Sequence, residues 1–470
     1  MRRLVLIIVL SLYLSLPLGM SIIVFSSVPV SVAKNMIDSI PSLVVLDVRF
    51  LNEYNSGHIR NAKHIPVGEL VGRLDELETT DKILVYCQSG GRSVTASQIL
   101  AENGFTHIYN MLGGITAWIN AGYPVYVKYS SIQEAINTAS EWDTIYVSVG
   151  TYIENVVVNK SLSLLGEDKE NTVVDGDGVG TVIQVESNNV TISGLQVRGC
   201  SMEWGDHGII LKDSSNCVIS GNIVRAVYAI CVEKGTGNSI IDNGFVGDDG
   251  SCIFHGLQLV NSSSNVVSNN NLSVNCHFAL TMDNSSNNIV SFNYISGHFV
   301  PFPFTMEKSS NNSIIGNTMW QPAPLFGGHI HFTESKSNTL IHNSFLADDG
   351  PNTISVDEFS TNNTWDNGYE GNYWSNYNGS DLDGDGVGDT DLPWEGVDNY
   401  PLMNFFWNIG DIDHDLDVDL FDVVKAASIY GSTSADPEWN PHCDIAEPYG
   451  VIDIFDLVMI ASSYGEEYTS

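Results

Sequence analysis

Short apolar runs bounded by glycine, asparagine and serine dominate the chain, and their pattern changes along it. Leu43-Val-Val-Leu-Asp47 and Ile83-Leu-Val-Tyr-Cys87 are continuous apolar runs of strand length, as in parallel strands covered on both faces. Residues 93–103 carry helical periodicity, and Gly104 follows as a helix-ending glycine. Residues 35–127 therefore read as an α/β domain. Residues 131–140 read as a short amphipathic helix. After it come Asp143-Thr-Ile-Tyr-Val147, Gly150-Thr-Tyr-Ile-Glu154-Asn155-Val-Val-Val158 and Ser161-Leu-Ser-Leu-Leu165-Gly166, short strands with regular turns.

A repeat then sets in. Asparagine pairs recur at Asn216…Asn222, Asn238…Asn243, Asn265…Asn271, Asn288…Asn293, Asn312…Asn317 and Asn338…Asn343, with a degenerate copy at Asn362…Asn367, spaced 22 to 27 residues apart. One such unit cannot bury its apolar face alone, whereas stacked coils can. Asparagine at a fixed place in each coil predicts a side-chain amide ladder, with the helix before the first coil capping the open end. Residues 128–375 thus read as an all-β parallel β-helix.

The length of 470 residues suggests about three domains. Charge changes the picture more: 19 basic residues face 56 acidic ones, a net charge of -37. That balance excludes nucleic acid and anionic lipid, which need basic patches. Two tight acidic runs after residue 380 point instead to calcium, a hard cation that takes oxygen ligands.

Met1-Arg2-Arg3 precedes an apolar stretch over residues 4–25, and Ser31-Val32-Ala33 has the small residues of a cleavage site. Residues 1–33 read as a signal peptide or, since the stretch is long enough to span a bilayer, an uncleaved anchor. Either places the remainder outside the cytoplasm, secreted or at the cell surface. Eight Asn-x-Ser/Thr sequons, among them Asn261, Asn271 and Asn284, are compatible with export. Of seven cysteines, Cys200, Cys217, Cys231, Cys252 and Cys276 cluster mid-chain, where some have the opportunity to pair, and Cys443 is remote.

The candidate chemistry centres on Cys87. It ends a strand and is followed by Gln88-Ser89-Gly90-Gly91-Arg92-Ser93 and a helix. Successive backbone N–H groups and a helix N-terminus make a positive cradle, which holds a cysteine as thiolate. Arg92 adds a cation suited to an anionic sulfur donor. A lone cysteine is more often a buried structural thiol; the strand, glycine loop, arginine and helix around this one reverse that expectation.

Leu46-Asp47-Val48-Arg49, Glu53 to Pro66 with Gly57-His58-Ile59 and His64-Ile65-Pro66, Cys87 to Ser93, and Leu112-Gly113-Gly114 followed by Trp118 occur in order. On these strings residues 35–127 resemble the rhodanese family. The resemblance implies a persulfide carried on Cys87, stabilised by the loop amides, with Asp47 and Arg49 bracing the loop. The six residues from Cys87 to Arg92 match the loop length of sulfur-transferring members; related phosphatases use a longer loop. Thiosulfate is the donor the family is usually assayed with.

Ser131-Ile-Gln-Glu-Ala-Ile136, Gly150-Thr-Tyr152, Val158-Asn-Lys-Ser-Leu162 and Gly371-Asn-Tyr-Trp374 resemble the right-handed parallel β-helix families of carbohydrate-binding and sugar-hydrolase type, in particular NosD-like periplasmic proteins. Aligning the coils on their asparagines puts His207, Tyr228, His255, His277, Phe302 and His329 in one column, with Cys252, Cys276 and His331 nearby. Two readings stand: a stacking ladder of flat rings, or a strip that stacks on polysaccharide or ligates copper or zinc. Asp248-Asp249 and Asp348-Asp349 lie four coils apart, too far to act as a glycosidase pair, so neither glycosidase nor lyase activity is expected.

Residues 376–408 read as an acidic calcium-loop linker. Asp381, Asp383, Asp385 and Asp389 stand at loop positions 1, 3, 5 and 9, with Gly386 at 6; an acidic solvated turn is the alternative. Asp411, Asp413, Asp415, Asp419 and Asp422 repeat the pattern before an apolar helix over 423–430 and Gly431. A second copy runs through Asp444, Asp453 and Asp456. Phe421-Asp422-Val423-Val424 and Phe455-Asp456-Leu457-Val458 make the duplication plain. Residues 409–467 resemble a type I dockerin, a small α calcium-loop domain, which implies a cohesin-type partner; a calcium-stapled module without a partner is the alternative. Leu416 replaces the glycine usual at position 6 of the first loop.

The chain is thus expected to be a multi-domain exported sulfurtransferase displayed on a β-helix, with calcium and no organic cofactor. The competing expectation is a surface polysaccharide- or partner-binding β-helix in which the sulfur-transfer domain is accessory.

Overall fold

The computed structural model describes residues 25–246, 254–274, 278–297, 302–321, 328–347, 354–383, 385–404, 420–433, 452 and 457–458. The chain divides into two units, the first ending at Asn265 and the second beginning at Val266.

The first unit opens with an α/β domain. Its strands are β1 (Ser26–Val28), β2 (Leu43–Asp47), β3 (Lys63–His64), β4 (Lys82–Tyr86) and β5 (His107–Met111), in the order β1-β5-β4-β2-β3 and all parallel. Helices α1 (Val30–Ser39), α2 (Leu51–Asn55), α3 (Gly91–Glu102) and α4 (Gly114–Asn120) connect them. Leu46, Ile83, Val85 and Leu100 fill one core cluster; Leu84, Tyr86, Met111 and Trp118 fill the other. These continuous apolar runs are buried on both faces, as a parallel sheet requires.

The expected boundary at residue 35 is corrected. Strand β1 pairs with β5 and Ala33 of α1 is fully buried, so residues 26–34 belong to the domain. Cleavage after Ala33 would remove an edge strand and cut α1. Residues 1–24 lie outside the described residues, and no described helix is long and apolar enough to cross a membrane.

The α/β domain runs directly into the β-helix without a linker. Val127 bridges Val147, and Lys128 N donates to Asn55 O. Helix α5 (Ile132–Thr138) follows, capped by Ser131 accepting from Glu134 N. Gln133 accepts from Val157 N at 2.6 Å and donates to Val157 O at 3.2 Å. Its amide thereby occupies the open edge of the strand Val156–Val158 and protects it from further pairing.

From Thr144 each coil contributes three short strands, one to each of three parallel sheets. Ile192, Ile219 and Ile240 stack in register in one sheet, Leu211, Val232 and Leu259 in another, all turned inward and buried. Residues at the corners adopt positive φ, as at Asn189 (55°), Asn216 (55°), Asn287 (58°) and Asn311 (57°), where asparagine is tolerated better than most residues.

The amide ladders depart from the expected repeat in three coils, lying one residue later at Cys217 and Asn363, one residue earlier at Asn270 and five residues later at Asn372. Cys217, not Asn216, occupies the ladder position, its N–H donating to Asn238 Oδ1 at 2.9 Å. Asn238 Nδ2 donates to Asn265 Oδ1 at 3.0 Å. In the second unit Asn288, Asn312, Asn338 and Asn363 continue the same pattern. A second ladder runs Asn270, Asn293, Asn317, Asn343 and Asn372. Asn271, Asn362 and Asn367 therefore stand outside the ladders. Each ladder amide satisfies buried backbone groups at a corner that no strand pairing reaches.

The last coil ends on a carboxylate. Asp398 is fully buried and accepts from Asn372 N and Trp374 Nε1, each at 2.8 Å, and from Tyr400 N at 3.0 Å. Residues 376–404 consequently pack onto the end of the coil and are no linker: Leu402 bridges both Tyr373 and Val387. Helix α6 (Leu420–Ser428) falls near its expected place. Gly431 N donates to Ile452 O at 2.8 Å and Ile452 N to Ser432 O at 3.0 Å.

Candidate functional site

Cys87 follows directly on β4 at the centre of the parallel sheet, and α3 begins four residues later at Gly91. Gly90 turns the loop with φ 111°, a conformation that glycine supplies without strain. The turn aims Gly90 N at Cys87 Sγ, 3.1 Å away. Ser93 Oγ donates to Gly90 O at 3.0 Å. Burial alone would push the thiol up, but hydrogen bonds from Ser93, Gly90 and Ser89 outweigh it and hold the Cys87 pKa below the usual thiol value.

The loop is fixed from below by the N-terminus of α4. Ile115 N donates to Cys87 O at 2.8 Å, and Thr116 N and Oγ1 donate to Gln88 O at 3.1 and 2.9 Å. Gly114, at φ 57°, lies so close that a Cβ there would stand 2.3 Å from Cys87 O. From the side, buried Arg49 donates from Nη2 to Asp47 at 2.6 Å and to Gly57 O at 2.7 Å, and from Nη1 to Gln88 Oε1 at 3.4 Å. Asp47 and Arg49 thus form a neutral buried pair beneath the loop.

Arg92 does not stand as an open cation. Its Nη1 and Nη2 donate to Glu53 Oε2 and Oε1 at 2.6 and 2.7 Å, a bidentate pair, and its guanidinium lies 5.3 Å from the Phe50 ring. Arg92 holds the Glu53 carboxyl at a pKa of about 2. The guanidinium expected to hold an anionic sulfur donor is thus paired with Glu53. Sequence reading quoted Glu53 within a motif without seeing its partner, and it passed over Thr116.

The aromatic column is only partly formed. His207, Tyr228 and His255 do lie side by side, with ring centroids 5.9 and 5.8 Å apart. Trp204, which the sequence did not flag, stands edge-on to Tyr228 at 5.5 Å. His277 lies outside the described residues. In the second unit the pairing of Phe304 with Ile330 sets His329 one residue out of line with Phe302, which stacks on His331 instead at 5.0 Å. His329 is buried against Phe345, and burial lowers its pKa to about 4. His207 has both ring nitrogens engaged, by Gly205 O and Gln258 Oε1, and Cys252 and Cys276 lie outside the described residues. Cys217 and Cys231 are buried thiols outside any disulfide, and burial raises both pKa values, that of Cys231 to about 12.

Among the described residues, the acidic groups close enough to share an ion are Asp381, Asp383 and Asp385, whose ligand oxygens lie within 4.8 Å of one another. Gly386 turns the loop at φ 89°, and Asp389 accepts from Leu382 N at 2.7 Å. The neighbouring Asp385 carboxylate raises the Asp383 pKa. Several hard oxygen donors repelling one another fit calcium. Asp411, Asp413, Asp415, Asp419, Asp444, Asp453 and Asp456 lie outside the described residues, as do Asp248-Asp249 and Asp348-Asp349; Asp422 falls in α6 with its side chain undescribed.

Comparison with known proteins divides the chain the same way. A rhodanese-like domain matches residues 30–121, and the periplasmic copper-binding protein NosD family matches residues 136–323. The putative sulfur carrier protein YrkF of Bacillus subtilis is 40% identical over 85 residues, 18% of this chain and 46% of that protein. Thiosulfate sulfurtransferase GlpE of Coxiella burnetii is 34% identical over 76 residues, 16% of this chain and 71% of that protein. The crystal structure of a rhodanese-related protein from Thermoplasma volcanium is 35% identical and covers 22% of this chain and 100% of that one, with a TM-score of 0.21. The match thus spans about half the length of YrkF.

Proposed function

Since the chain belongs to the rhodanese-like family through residues 30–121, we propose that it is a sulfurtransferase carrying sulfane sulfur as a persulfide on Cys87. The observation that carries this reading is the aim of Gly90 N at Cys87 Sγ, 3.1 Å away, beside the first turn of α3. Donors placed there stabilise the thiolate, and a persulfide one atom longer extends into the same cradle.

The thiolate attacks the outer sulfur of a small donor of thiosulfate type. The S–S bond of the donor breaks, sulfite leaves with the electron pair, and the Cys87 persulfide forms. A nucleophilic acceptor then takes the terminal sulfur and returns the thiolate. Ser93 and the loop amides hold the anionic sulfur throughout, while Asp47, Arg49 and Thr116 keep the loop in place.

The same proposal places the protein outside the cytoplasm, which the leading apolar stretch and the match to a periplasmic family support. Calcium at Asp381, Asp383, Asp385 and Asp389 would tie the acidic loop to the end of the last coil. The duplicated C-terminal segment supports a dockerin-like attachment module.

The test is thiosulfate:cyanide sulfurtransferase activity of the full chain beside Cys87→Ser, with mass spectrometry of the Cys87 peptide. Turnover and a mass gain of one sulfur atom, both lost in the variant, are expected. Absence of both in the wild type would reject the proposal.

A further inference from the structure

The charged side chains that brace or border the Cys87 loop cancel in pairs. Arg49 is spent on Asp47, with side chains 4% and 0% exposed. Arg92 is spent on Glu53, with side chains 29% and 24% exposed at the mouth. A Cys87 thiolate or persulfide therefore leaves these groups with a net negative charge. Glu53 is held in place by more than Arg92: its Oε2 also accepts from Phe50 N at 3.1 Å, the cap of α2. Phe50, 63% exposed, covers the guanidinium from another side. The cation at this mouth is thus clamped by a carboxylate that the fold itself positions.

We propose that Glu53 is a specificity-determining residue that selects against dianionic sulfur donors by holding Arg92 in a bidentate pair beside Cys87. Donors with a single negative charge, or none, approach at a smaller electrostatic cost. The donor half of this inference rests on the sulfurtransferase reading; the charge selectivity of the thiolate does not.

Two matched pairs of reagents test it on the full chain, wild type against Glu53→Gln. Thiosulfate and benzenethiosulfonate deliver the same outer sulfur to the Cys87 thiolate. The first releases sulfite and the second benzenesulfinate, and cyanide then takes the sulfur as thiocyanate and restores the thiolate. Removing one negative charge from the mouth is expected to lower KM for both donors, on the order of threefold for the monoanion and, because the Coulomb energy doubles with the charge, roughly the square of that for the dianion. The gap should close in about 0.5 M salt. Loss of an α2 cap alone would change both donors alike.

Iodoacetate and iodoacetamide form the second pair, with alkylation of the Cys87 peptide followed by mass spectrometry. Glu53→Gln is expected to raise the iodoacetate rate roughly threefold relative to iodoacetamide. Equal changes within both pairs, or a change favouring the neutral reagent, would overturn the inference. If neither donor turns over in the wild type, the sulfurtransferase reading fails and the alkylation ratio alone decides the role of Glu53.

Discussion

His58 of the α/β domain and Glu167 of the first β-helix coil are buried against each other, with Nε2 and Oε2 2.9 Å apart and side chains 0% and 2% exposed. Glu167 also accepts from Asn61 N at 2.8 Å and Val149 N at 3.1 Å. The His58 ring stacks on Tyr54 at 3.8 Å. The next residue back, Gly57, accepts from Arg49, which reaches Gln88 in the sulfur-binding loop. The first coil therefore supports the turn that supports the loop.

Glu167→Ala should cost about 3 to 5 kcal/mol, because it leaves buried donors without an acceptor. Glu167→Gln keeps one acceptor oxygen and should cost less, about 1 to 3 kcal/mol. Calorimetry is expected to show the α/β domain and the first coils losing stability in one transition. A variant that melts the two separately at unchanged temperatures would contradict this junction.

Cys87 should alkylate faster than Cys217 or Cys231 at neutral pH, since its pKa is lowered and theirs are raised. Ser93→Ala removes a hydrogen bond to the thiolate and should move the midpoint of the rate-pH profile upward, towards the ordinary thiol value. An unchanged or lower midpoint would refute the role given to Ser93.

Burial raises the Asp398 pKa to about 6 from the ordinary carboxylate value of 3.8. The folded state thus binds a proton more tightly than the unfolded state. Its contribution is fully present below about 3.8 and is lost as pH rises through about 6, roughly 3 kcal/mol in all. Urea titrations from pH 4 to 7 should show this slope in the wild type and lose it in Asp398→Asn.

Asn312→Ala should destabilise by about 2 to 4 kcal/mol. Asn312 accepts from Asn288 N and Nδ2 and donates to Ser285 O and Asn338 Oδ1, all in the buried interior. Asn311→Ala, one residue earlier and exposed at φ 57°, removes no ladder bond and should cost about 1 kcal/mol. Denaturant midpoints of the two variants give the comparison.

Calcium at 100 times its Kd should stabilise the folded chain by about 2.7 kcal/mol. Chelation should reverse the gain, and Asp383→Asn with Asp385→Asn should abolish it. A melting temperature indifferent to calcium in the wild type would remove calcium from the functional reading.

The sequence by itself determined the elements whose cause is local. Continuous apolar runs set β2 and β4, a glycine loop set the cradle at Cys87, and recurrent asparagines set the coil. Each follows from side-chain periodicity or from what a turn tolerates within a few residues. Tertiary structure decided what depends on register and on distant partners. A slip of one residue separates Asn216 from the ladder position that Cys217 holds, and Phe302 from His329, because successive strand residues face opposite sides. Glu53 meets Arg92 across 39 residues and Glu167 meets His58 across 109. No spacing in the sequence announces such pairs, since packing of the sheet and stacking of the first coil bring them together. The chemistry at Cys87 was therefore local, while the charge of its surroundings and the rigidity of its support were properties of the fold.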